Sequence, residues 1–416
     1  MTSHRLVAAV VSCMTRLVLT LLAMLATANV SHAQIAVRGD TVYTMAGPPI
    51  QDGVVLLRDG RIERVGPASE VAIPAGYRTL TATVVTPGLI DAHTVVGLAG
   101  YLNQEDDQDM IDRTAPIQPE LRALDAYDAS ERLVEWVRGF GITTIHTGHA
   151  PGTLVSGQTM IIKTAGRTVD EAVIVPAAMV TATLADAARG GDGGAPGTRG
   201  RMVAMLRAEF IRARDYVERR ATAEAGSGPA PDLRLDTLGR VLEGELPLLV
   251  TAHRARDIMT AFRLATEFEL DIVLDGAAEA HLVIDEIKQA GVPVIIHPTM
   301  YRATGETENL SFETAAKLKA AGIQIALQSG FEAYVPRTRV VLFEAGVAAA
   351  HGLEFEEALA TITVDAAKIL GVDDRVGSLE VGKDADVALF DGDPFDYTSH
   401  CIGVIIDGVV VSEEVR

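Results

Sequence analysis

The stretch TPGLIDAHTVVGLAG, residues 86–100, decides the fold of this chain. Its Pro87-Gly88 pair is a turn signal, and the two apolar residues that follow are typical of a short buried strand. That strand would carry Asp91 and His93 to its carboxyl end. A strand of this kind is typical of the start of a barrel whose strand ends hold a metal. The second histidine expected two residues further on is replaced by Val95.

The length and the charge of the chain limit the class of protein. Its 416 residues are too many for one ordinary core and enough for a large barrel with a smaller domain. The formal net charge of −20 argues against nucleic acid and anionic membrane surfaces as partners. The expected partner is therefore a small-molecule substrate or ligand. Once a signal peptide containing Cys13 is removed, Cys401 is the remaining cysteine, and no disulfide can form within the mature chain.

The first 33 residues have the pattern of a secretory signal peptide. Arg16 precedes a mostly apolar run over 17–26, and Ser31-His32-Ala33 places small residues at the two cleavage-determining positions before Gln34. The pattern predicts an exported protein, periplasmic or secreted, without a membrane span after cleavage. The alternative is a membrane anchor, which the run disfavours because it is shorter than the ~20 apolar residues of a spanning helix.

The two ends of the mature chain have β patterns, whereas its middle alternates strand and helix. Residues 34–85 and 373–416 contain short β runs and hairpin turns, which predicts one small composite β-sandwich. Residues 86–372 predict an α/β fold, a TIM-like (β/α)8 barrel, with an insertion near 185–233. The eight strands expected to run parallel are Gly88–His93, Ile142–His146, Thr159–Lys163, Ala177–Thr183, Leu248–His253, Asp271–Asp275, Val294–His297 and Gln324–Gln328.

Histidines gather at the predicted strand ends. Imidazoles placed at one mouth of a barrel are what a metal site needs. Asp275 is a candidate base, and Asp91 is a second candidate catalytic carboxylate at a strand end. The alternative is that the rings form hydrogen bonds with one another and with water in a cavity without catalytic function. The candidate metal ligands are His93, His146, His149, His253 and His297.

Two motifs give the chain a resemblance to a known family. The PGLIDAH strand and the closing segment GSLEVGKDADVALFDGDPF, residues 377–395, resemble the metal-dependent amidohydrolase superfamily, and more narrowly its secreted, imidazolonepropionase-like members. The resemblance covers the whole mature chain. It implies a hydrolase that acts on carbon–nitrogen bonds with one or two divalent metals, usually zinc, at the barrel mouth.

The resemblance also shows where this chain departs from the family pattern. His93 matches the first ligand. The family pattern also includes an H-x-H pair on the first strand, a fourth-strand lysine, a fifth-strand histidine, a sixth-strand histidine and an eighth-strand aspartate. The residues found at those positions are Val95, Val180, a Thr251-Ala252-His253 stretch that keeps one imidazole, Gly276, and Gln328-Ser329-Gly330 without the aspartate. Of the usual ligands, only His93 and His253 are left. The sequence therefore predicts a degenerate or rebuilt site that holds one divalent metal such as zinc, or none.

Two functions follow from this pattern. The first is an exported amidohydrolase-type enzyme acting on a non-peptide or small-peptide carbon–nitrogen bond. The second is a non-catalytic binding protein of the same fold, or a partner subunit of an active paralogue, as a homo-oligomer or hetero-oligomer. The acidic loop after the first strand has five carboxylates over 105–112 and is expected to be a solvated surface. The alternatives are a contact for cationic substrates or a loosely held metal.

Overall fold

The computed structural model describes residues 34–190, 196–224, 227–331 and 340–416. The predicted signal peptide, residues 1–33, lies outside the described residues. Within them, no helix combines the length and the apolar character needed to cross a lipid bilayer.

The strands fall into an amino-terminal group, a central group and a carboxyl-terminal group. They are β1 (Ile35–Val42), β2 (Ile50–Arg58), β3 (Arg61–Pro67), β4 (Arg78–Pro87), β5 (Leu89–Thr94), β6 (Ile142–Thr147), β7 (Val155–Gln158), β8 (Met160–Lys163), β9 (Val173–Val175), β10 (Val180–Thr183), β11 (Leu248–Ala252), β12 (Ile272–Gly276), β13 (Val294–Ile296), β14 (Ile325–Leu327), β15 (Val387–Phe390), β16 (Cys401–Ile406) and β17 (Val409–Ser412).

The helices lie between the central strands and after them. They are α1 (Arg132–Arg138), α2 (Val169–Ala172), α3 (Arg199–Thr222), α4 (Leu233–Leu242), α5 (Ala255–Phe268), α6 (Ile284–Ala290), α7 (Thr314–Ala320), α8 (Val341–Ala350), α9 (Phe355–Thr361) and α10 (Val364–Leu370). The long helix α3 lies between β10 and β11, in the range predicted as an insertion.

Both ends of the chain contribute to one seven-stranded sheet, with the order β17-β16-β15-β4-β1-β2-β3. The join is the antiparallel pairing of β4 with β15, in which Val85 lies opposite Leu389. Asp59 and Gly60 connect β2 to β3 with φ of 51° and 77°, the left-handed conformation that a tight hairpin turn requires. The two chain ends therefore meet in one sheet, as the repeated β pattern predicts, and the second layer of the sandwich stays a prediction.

Two further sheets contain the central strands. One has the order β14-β13-β12-β11-β10-β7, and the other has the order β5-β6-β8-β9. They adjoin at β5 and β14, where Thr94 and Gly330 form a parallel bridge and the Gly330 N–H donates to the His93 carbonyl over 3.0 Å. They also adjoin between β8 and β10, where the Thr159 N–H donates to the Met179 carbonyl over 2.9 Å.

The prediction of eight parallel strands is wrong at its third strand. β5 and β6 are parallel, and so are the neighbours from β10 to β14, but β8 runs antiparallel to β6. The segment from 148 to 159 between β6 and β8 contains a short strand and no helix. A parallel return requires a crossover of a dozen or more residues, usually through a helix, so this short connection brings the chain back antiparallel.

Candidate active site

A cavity of about 220 Å³ opens at the carboxyl ends of the parallel strands. The side chains at these ends converge because parallel strands present the same end to one face. The strand-end residues that line the cavity are His93, Thr94, Val95, Thr251, His253, Asp275, Gly276, His297, Gln328 and Gly330.

His93 and Asp275 form a buried hydrogen-bonded pair at the centre of this set. His93 Nδ1–H donates to Asp275 Oδ1 over 3.0 Å, and the two side chains are only 4% and 3% exposed. The other ring nitrogen, His93 Nε2, is buried and forms no hydrogen bond. His93 belongs to the cavity lining, so this unpartnered nitrogen lies close to the cavity.

Asp275 receives two more hydrogen bonds from neighbouring strand ends. Gln328 Nε2 donates to Asp275 Oδ1 over 2.8 Å, and Thr251 Oγ1 donates to Asp275 Oδ2 over 2.6 Å. Both donors occupy positions where the family pattern expects a metal ligand. In the sequence, Thr251 and Gln328 count only as lost metal ligands. In the structure, both donate hydrogen bonds to the one buried carboxylate that lines the cavity.

The electrostatics of the pair favour a charged ring next to a charged carboxylate. Burial opposes the charge on His93, but the negative Asp275 and its hydrogen bond outweigh burial and raise the pKa of His93. Burial likewise opposes the charge on Asp275, but the His93 ring and the donated hydrogen bonds lower the pKa of Asp275. At neutral pH, Asp275 is therefore ionised and holds the ring of His93 in one orientation.

His253 and His297 bring two more imidazoles to the same cavity. His297 Nδ1–H donates to the Pro298 carbonyl over 2.8 Å, while its Nε2 is buried without a hydrogen bond. Burial lowers the pKa of His297 to about 4 and also lowers the pKa of His253. Both rings are therefore neutral at physiological pH.

His146 and His149 lie away from the cavity lining. His146 Nδ1–H donates to the Ala92 carbonyl over 2.7 Å, and its Nε2 lies 2.6 Å from Thr159 Oγ1. Both nitrogens of this ring are therefore engaged in structural contacts, and burial lowers its pKa to about 3. His149 packs against Gly157, where an added Cβ would lie 2.4 Å from the ring. The structure thus places three of the five predicted histidines on the cavity lining and the other two outside it, although the centre of the His146 ring lies 5.6 Å from that of His93.

Asp91 also lies outside the cavity lining. Its Oδ1 accepts a hydrogen bond from the Ser329 N–H over 2.9 Å, which joins β5 to the residues after β14. Burial raises the pKa of Asp91 to about 7, although the Ser329 hydrogen bonds oppose that rise. The geometry gives Asp91 a positioning contact rather than a contact with a bound molecule.

Two charged residues that the sequence did not single out complete the lining. Arg113 follows the acidic loop and donates from Nη1 to the Gly152 carbonyl over 3.0 Å. Glu306 accepts a hydrogen bond from the Asp186 N–H over 2.6 Å. None of the acidic residues at 105–112 lines the cavity. The sequence offered no signal for Arg113 or Glu306, since both lie in loops without a recognisable motif.

The candidate metal ligands do not form a cluster in the part of the chain that the structure describes. No group of three or more His, Cys, Asp or Glu side chains among those residues is arranged to hold a metal ion. The three imidazoles that line the cavity share its wall without converging on one point.

Comparisons with known proteins place this chain beside hydrolases. A model of the amidohydrolase family matches residues 337–412. The crystal structure of an amidohydrolase from Thermotoga maritima is 30% identical with a TM-score of 0.86, over 91% of this chain and 100% of that one. An imidazolonepropionase from Maricaulis maris is 29% identical over 85% of this chain and 90% of its own length. The amidohydrolase TasK of Hapsidospora irregularis is 25% identical over 86% of this chain. The matched part makes up 39% of the length of that longer protein.

Proposed function

Because this chain belongs to the metal-dependent amidohydrolase superfamily, we propose that it hydrolyses a carbon–nitrogen bond of a small organic molecule held in the cavity. The observation that carries the proposal is the buried His93–Asp275 pair, in which the His93 residue lines that cavity and its Nε2 has no hydrogen-bond partner. The similarity to an imidazolonepropionase supports a cyclic or acyclic amide as the substrate class, as expected of an imidazolonepropionase-like member.

The pair supplies the parts of a general acid–base mechanism. In its unprotonated form, which gains population as the pH rises above the raised pKa of the ring, His93 accepts a proton at Nε2 from a water molecule, whose oxygen attacks the amide carbon. Asp275 holds Nδ1–H and stabilises the imidazolium that forms. The imidazolium then returns the proton to the leaving nitrogen, the carbon–nitrogen bond breaks, and an amine and a carboxylic acid are released. Neutral His297 offers an unprotonated Nε2 that can accept a hydrogen bond from a substrate N–H.

The residues present do not fit the metal that the superfamily usually carries. Amidohydrolases usually bind a divalent metal such as zinc at this face. Here Val95 presents an aliphatic wall, both oxygens of Asp275 already accept hydrogen bonds, and Gln328 points an N–H donor at that carboxylate. An amide donor in place of a ligand carboxylate repels a cation, so no step of the proposed reaction passes through a metal.

A substrate panel tests the proposal. Purified protein is incubated in ¹⁸O-labelled water with an imidazolone, a lactam, N-acyl amino acids and dipeptides, and the products are read by mass spectrometry. We expect one class to give an acid that carries one ¹⁸O atom, and His93→Gln to lower the rate at least about 100-fold, the scale of a lost general base. The matched control, His281→Gln, alters a histidine outside the cavity lining and should keep the wild-type rate.

The panel also separates the second candidate function, a non-catalytic binding protein or a partner subunit of an active paralogue. The saturated hydrogen bonding of Asp275 favours that candidate, because a carboxylate held by three donors is typical of a structural network. Binding of a panel compound without ¹⁸O incorporation would establish it and refute the hydrolase. Turnover that survives His93→Gln would refute the mechanism.

We further propose the larger organisation that the sequence predicts. β5, β6, β8 and β10 to β14 would close into one barrel over 86–372, with the insertion at 185–233. The composite sandwich would comprise 34–85 and 373–416, and residues 1–33 would be a signal peptide for export. Mass spectrometry of the exported protein tests the last point, with Gln34 expected as the first residue. A retained Met1 or Met14 would indicate an anchor.

A further inference from the structure

A second cavity of about 390 Å³ forms an arginine-lined groove where α3 begins beside α5. It shares no lining residue with the candidate active site. Four arginines and one aspartate contribute its charged side chains. This excess of positive charge is unusual in a chain whose net charge is −20, and it makes the groove attractive to anions. The arginines are Arg199, Arg207, Arg256 and Arg263.

Two of the four arginines are already neutralised by carboxylates. Arg199 Nε lies 2.9 and 3.1 Å from the two oxygens of Asp257, and its Nη2 lies 2.7 Å from Asp186 Oδ1. Arg207 Nε lies 2.9 and 2.8 Å from the two oxygens of Glu267. These two side chains form walls of the groove and have little charge left for a ligand.

The other two arginines have no carboxylate of their own. Arg256 approaches Asp257 only to 3.8 Å, and that aspartate is held by Arg199. Arg263 donates from Nη2 to Thr260 Oγ1 over 2.7 Å, and no carboxylate of the described residues lies within ion-pair distance of it. Arg263 thus has no counter-ion among the described residues, and Arg256 has only a distant share of Asp257. Guanidinium groups with so little carboxylate pairing are suited to binding carboxylate or phosphate.

The floor of the groove is apolar and has free space. Leu184 and Met202 line it and are 5% and 1% exposed. Gly200 also lines it, and a Cβ added there would meet no atom within 4 Å. The first turn of α3 contains Arg199 and Arg201 and no acidic residue, and the carboxylates nearest to it are Asp186 and Asp257, which pair with Arg199. The groove therefore combines an anion contact with a small apolar surface.

We propose that the arginine-lined groove binds a small organic oxyanion, a carboxylate or a phosphate ester, through Arg256 and Arg263. The short alkyl part of this ligand covers Leu184 and Met202. The site is separate from the proposed hydrolytic reaction and does not depend on it.

Calorimetric titration of the full chain with pentanoate and with butyl phosphate tests the proposal and distinguishes the two kinds of oxyanion. Ionic strength is kept constant with sodium chloride, so that general screening of charge does not count as binding. We expect one of the two probes to bind the wild-type protein and Arg256→Ala/Arg263→Ala to weaken its binding at least about 10-fold, the scale of lost charge-assisted contacts. Arg219→Ala is the matched control, because Arg219 lies near the far end of α3 and pairs with Asp215 at the surface.

Gly200→Phe gives an independent variant that keeps all four arginines and fills the groove. This substitution should weaken binding of the probe to a similar extent. The rise in melting temperature that saturating probe produces in the wild type should disappear in the variant. The proposal is overturned if neither probe binds, if chloride alone produces the same heat, or if binding is equal in the double-arginine variant and in the wild type.

Discussion

Asp275 accepts hydrogen bonds from donors at three other strand ends. These hydrogen bonds fix both the charge and the position of its carboxylate in the cavity wall. Its contacts reach His93 on β5, Thr251 on β11 and Gln328 after β14. Each donor alone is an ordinary polar side chain. Together they keep a carboxylate ionised in a buried place, which in turn raises the pKa of His93.

The pKa of His93 should fall when the charge of Asp275 is removed. In Asp275→Asn the ring loses the negative neighbour that raises its pKa, while burial still opposes its charge. We expect the pKa, measured by NMR of the labelled imidazole, to drop by at least about one unit, the scale that one lost charge produces. Thr251→Val is the control that keeps the carboxylate, and it should change the pKa less. An unchanged pKa in Asp275→Asn would contradict the pairing.

Asp91 gives a prediction about stability and pH. Its folded pKa of about 7 lies above the ordinary value of 3.8, so the folded state keeps a proton that the unfolded chain releases. The stabilising contribution of the neutral form is therefore present at low pH and is lost as the pH rises toward and through 7. Asp91→Asn keeps the acceptor for the Ser329 N–H and never carries the charge.

We expect the free energy of unfolding of Asp91→Asn, relative to wild type, to rise by on the order of 2–4 kcal/mol between pH 4.5 and pH 8. Denaturant titration at the two pH values measures it. The free energy of unfolding of Asp112→Asn, relative to wild type, should change in the opposite direction by a small amount between the same two pH values. The reason is that hydrogen bonds from Thr114 lower the pKa of Asp112. If the difference in free energy of unfolding between Asp91→Asn and wild type does not vary with pH, the Asp91 carboxyl is ionised in the folded protein.

At the scale of elements, β8 is attached to the terminal sheet by a buried ion cluster. Lys163 Nζ lies 2.5 Å from Asp386 Oδ2 and 3.0 Å from Asp384 Oδ2. Both aspartates immediately precede β15, and Asp407 between β16 and β17 lies 3.3 Å from the same nitrogen. The cluster joins a central strand to the sheet that both chain ends share.

Lys163→Met should destabilise the protein by about 3–5 kcal/mol, since it leaves the buried carboxylate of Asp386 without a counter-ion and that of Asp384 with only Arg61 and Arg375. Denaturant unfolding of the variant measures the change. The double variant Lys163→Met/Asp386→Asn removes one of those charges and should recover part of the loss, as expected for two groups in direct contact. Equal losses in the single and double variants would indicate that the lysine acts through packing alone.

The direction of β8 shows what an element pattern leaves out. The apolar run Met160–Lys163 predicts a strand, and the structure contains it. A run of four residues carries no information about direction, which follows instead from the connection that precedes it. The absence of a helical pattern between β6 and β8 was the available signal for an antiparallel return.

At the scale of the whole molecule, the departure from the superfamily's ligand pattern predicts a protein that folds without metal. We expect purified protein to contain well below about 0.5 zinc per chain by elemental analysis, against the single ion that a catalytic site of three protein ligands would hold. A chelator should leave the melting temperature unchanged, because no metal contributes to folding. Val95→His should not create a metal site, since Gln328 and Gly276 still replace the other ligands. Stoichiometric zinc that His253→Ala removes would overturn this expectation.

The sequence by itself determined the strands and the residues at their ends. Apolar runs and turn residues are local signals, so eight of the ten central strands that the structure describes could be located, all but β7 and β9, as could the β segments that pair at the two chain ends. The same signals placed His93, His253, Asp275 and His297 at strand ends, and these residues line the cavity. The family-specific closing segment could likewise be recognised from its order of residues alone.

Only the tertiary structure decided which atoms face one another. The His93–Asp275 contact joins residues 182 positions apart, and the Gln328–Asp275 contact joins residues 53 positions apart. These contacts depend on the order of the strands in the sheets and on the rotation of each side chain, which no local pattern specifies. For the same reason His146 and Asp91, which have the same local signature, turn to the Ala92 carbonyl and the Ser329 N–H instead of the cavity. A hydrogen bond requires a separation near 3 Å and the right direction, and packing sets both after the chain has folded.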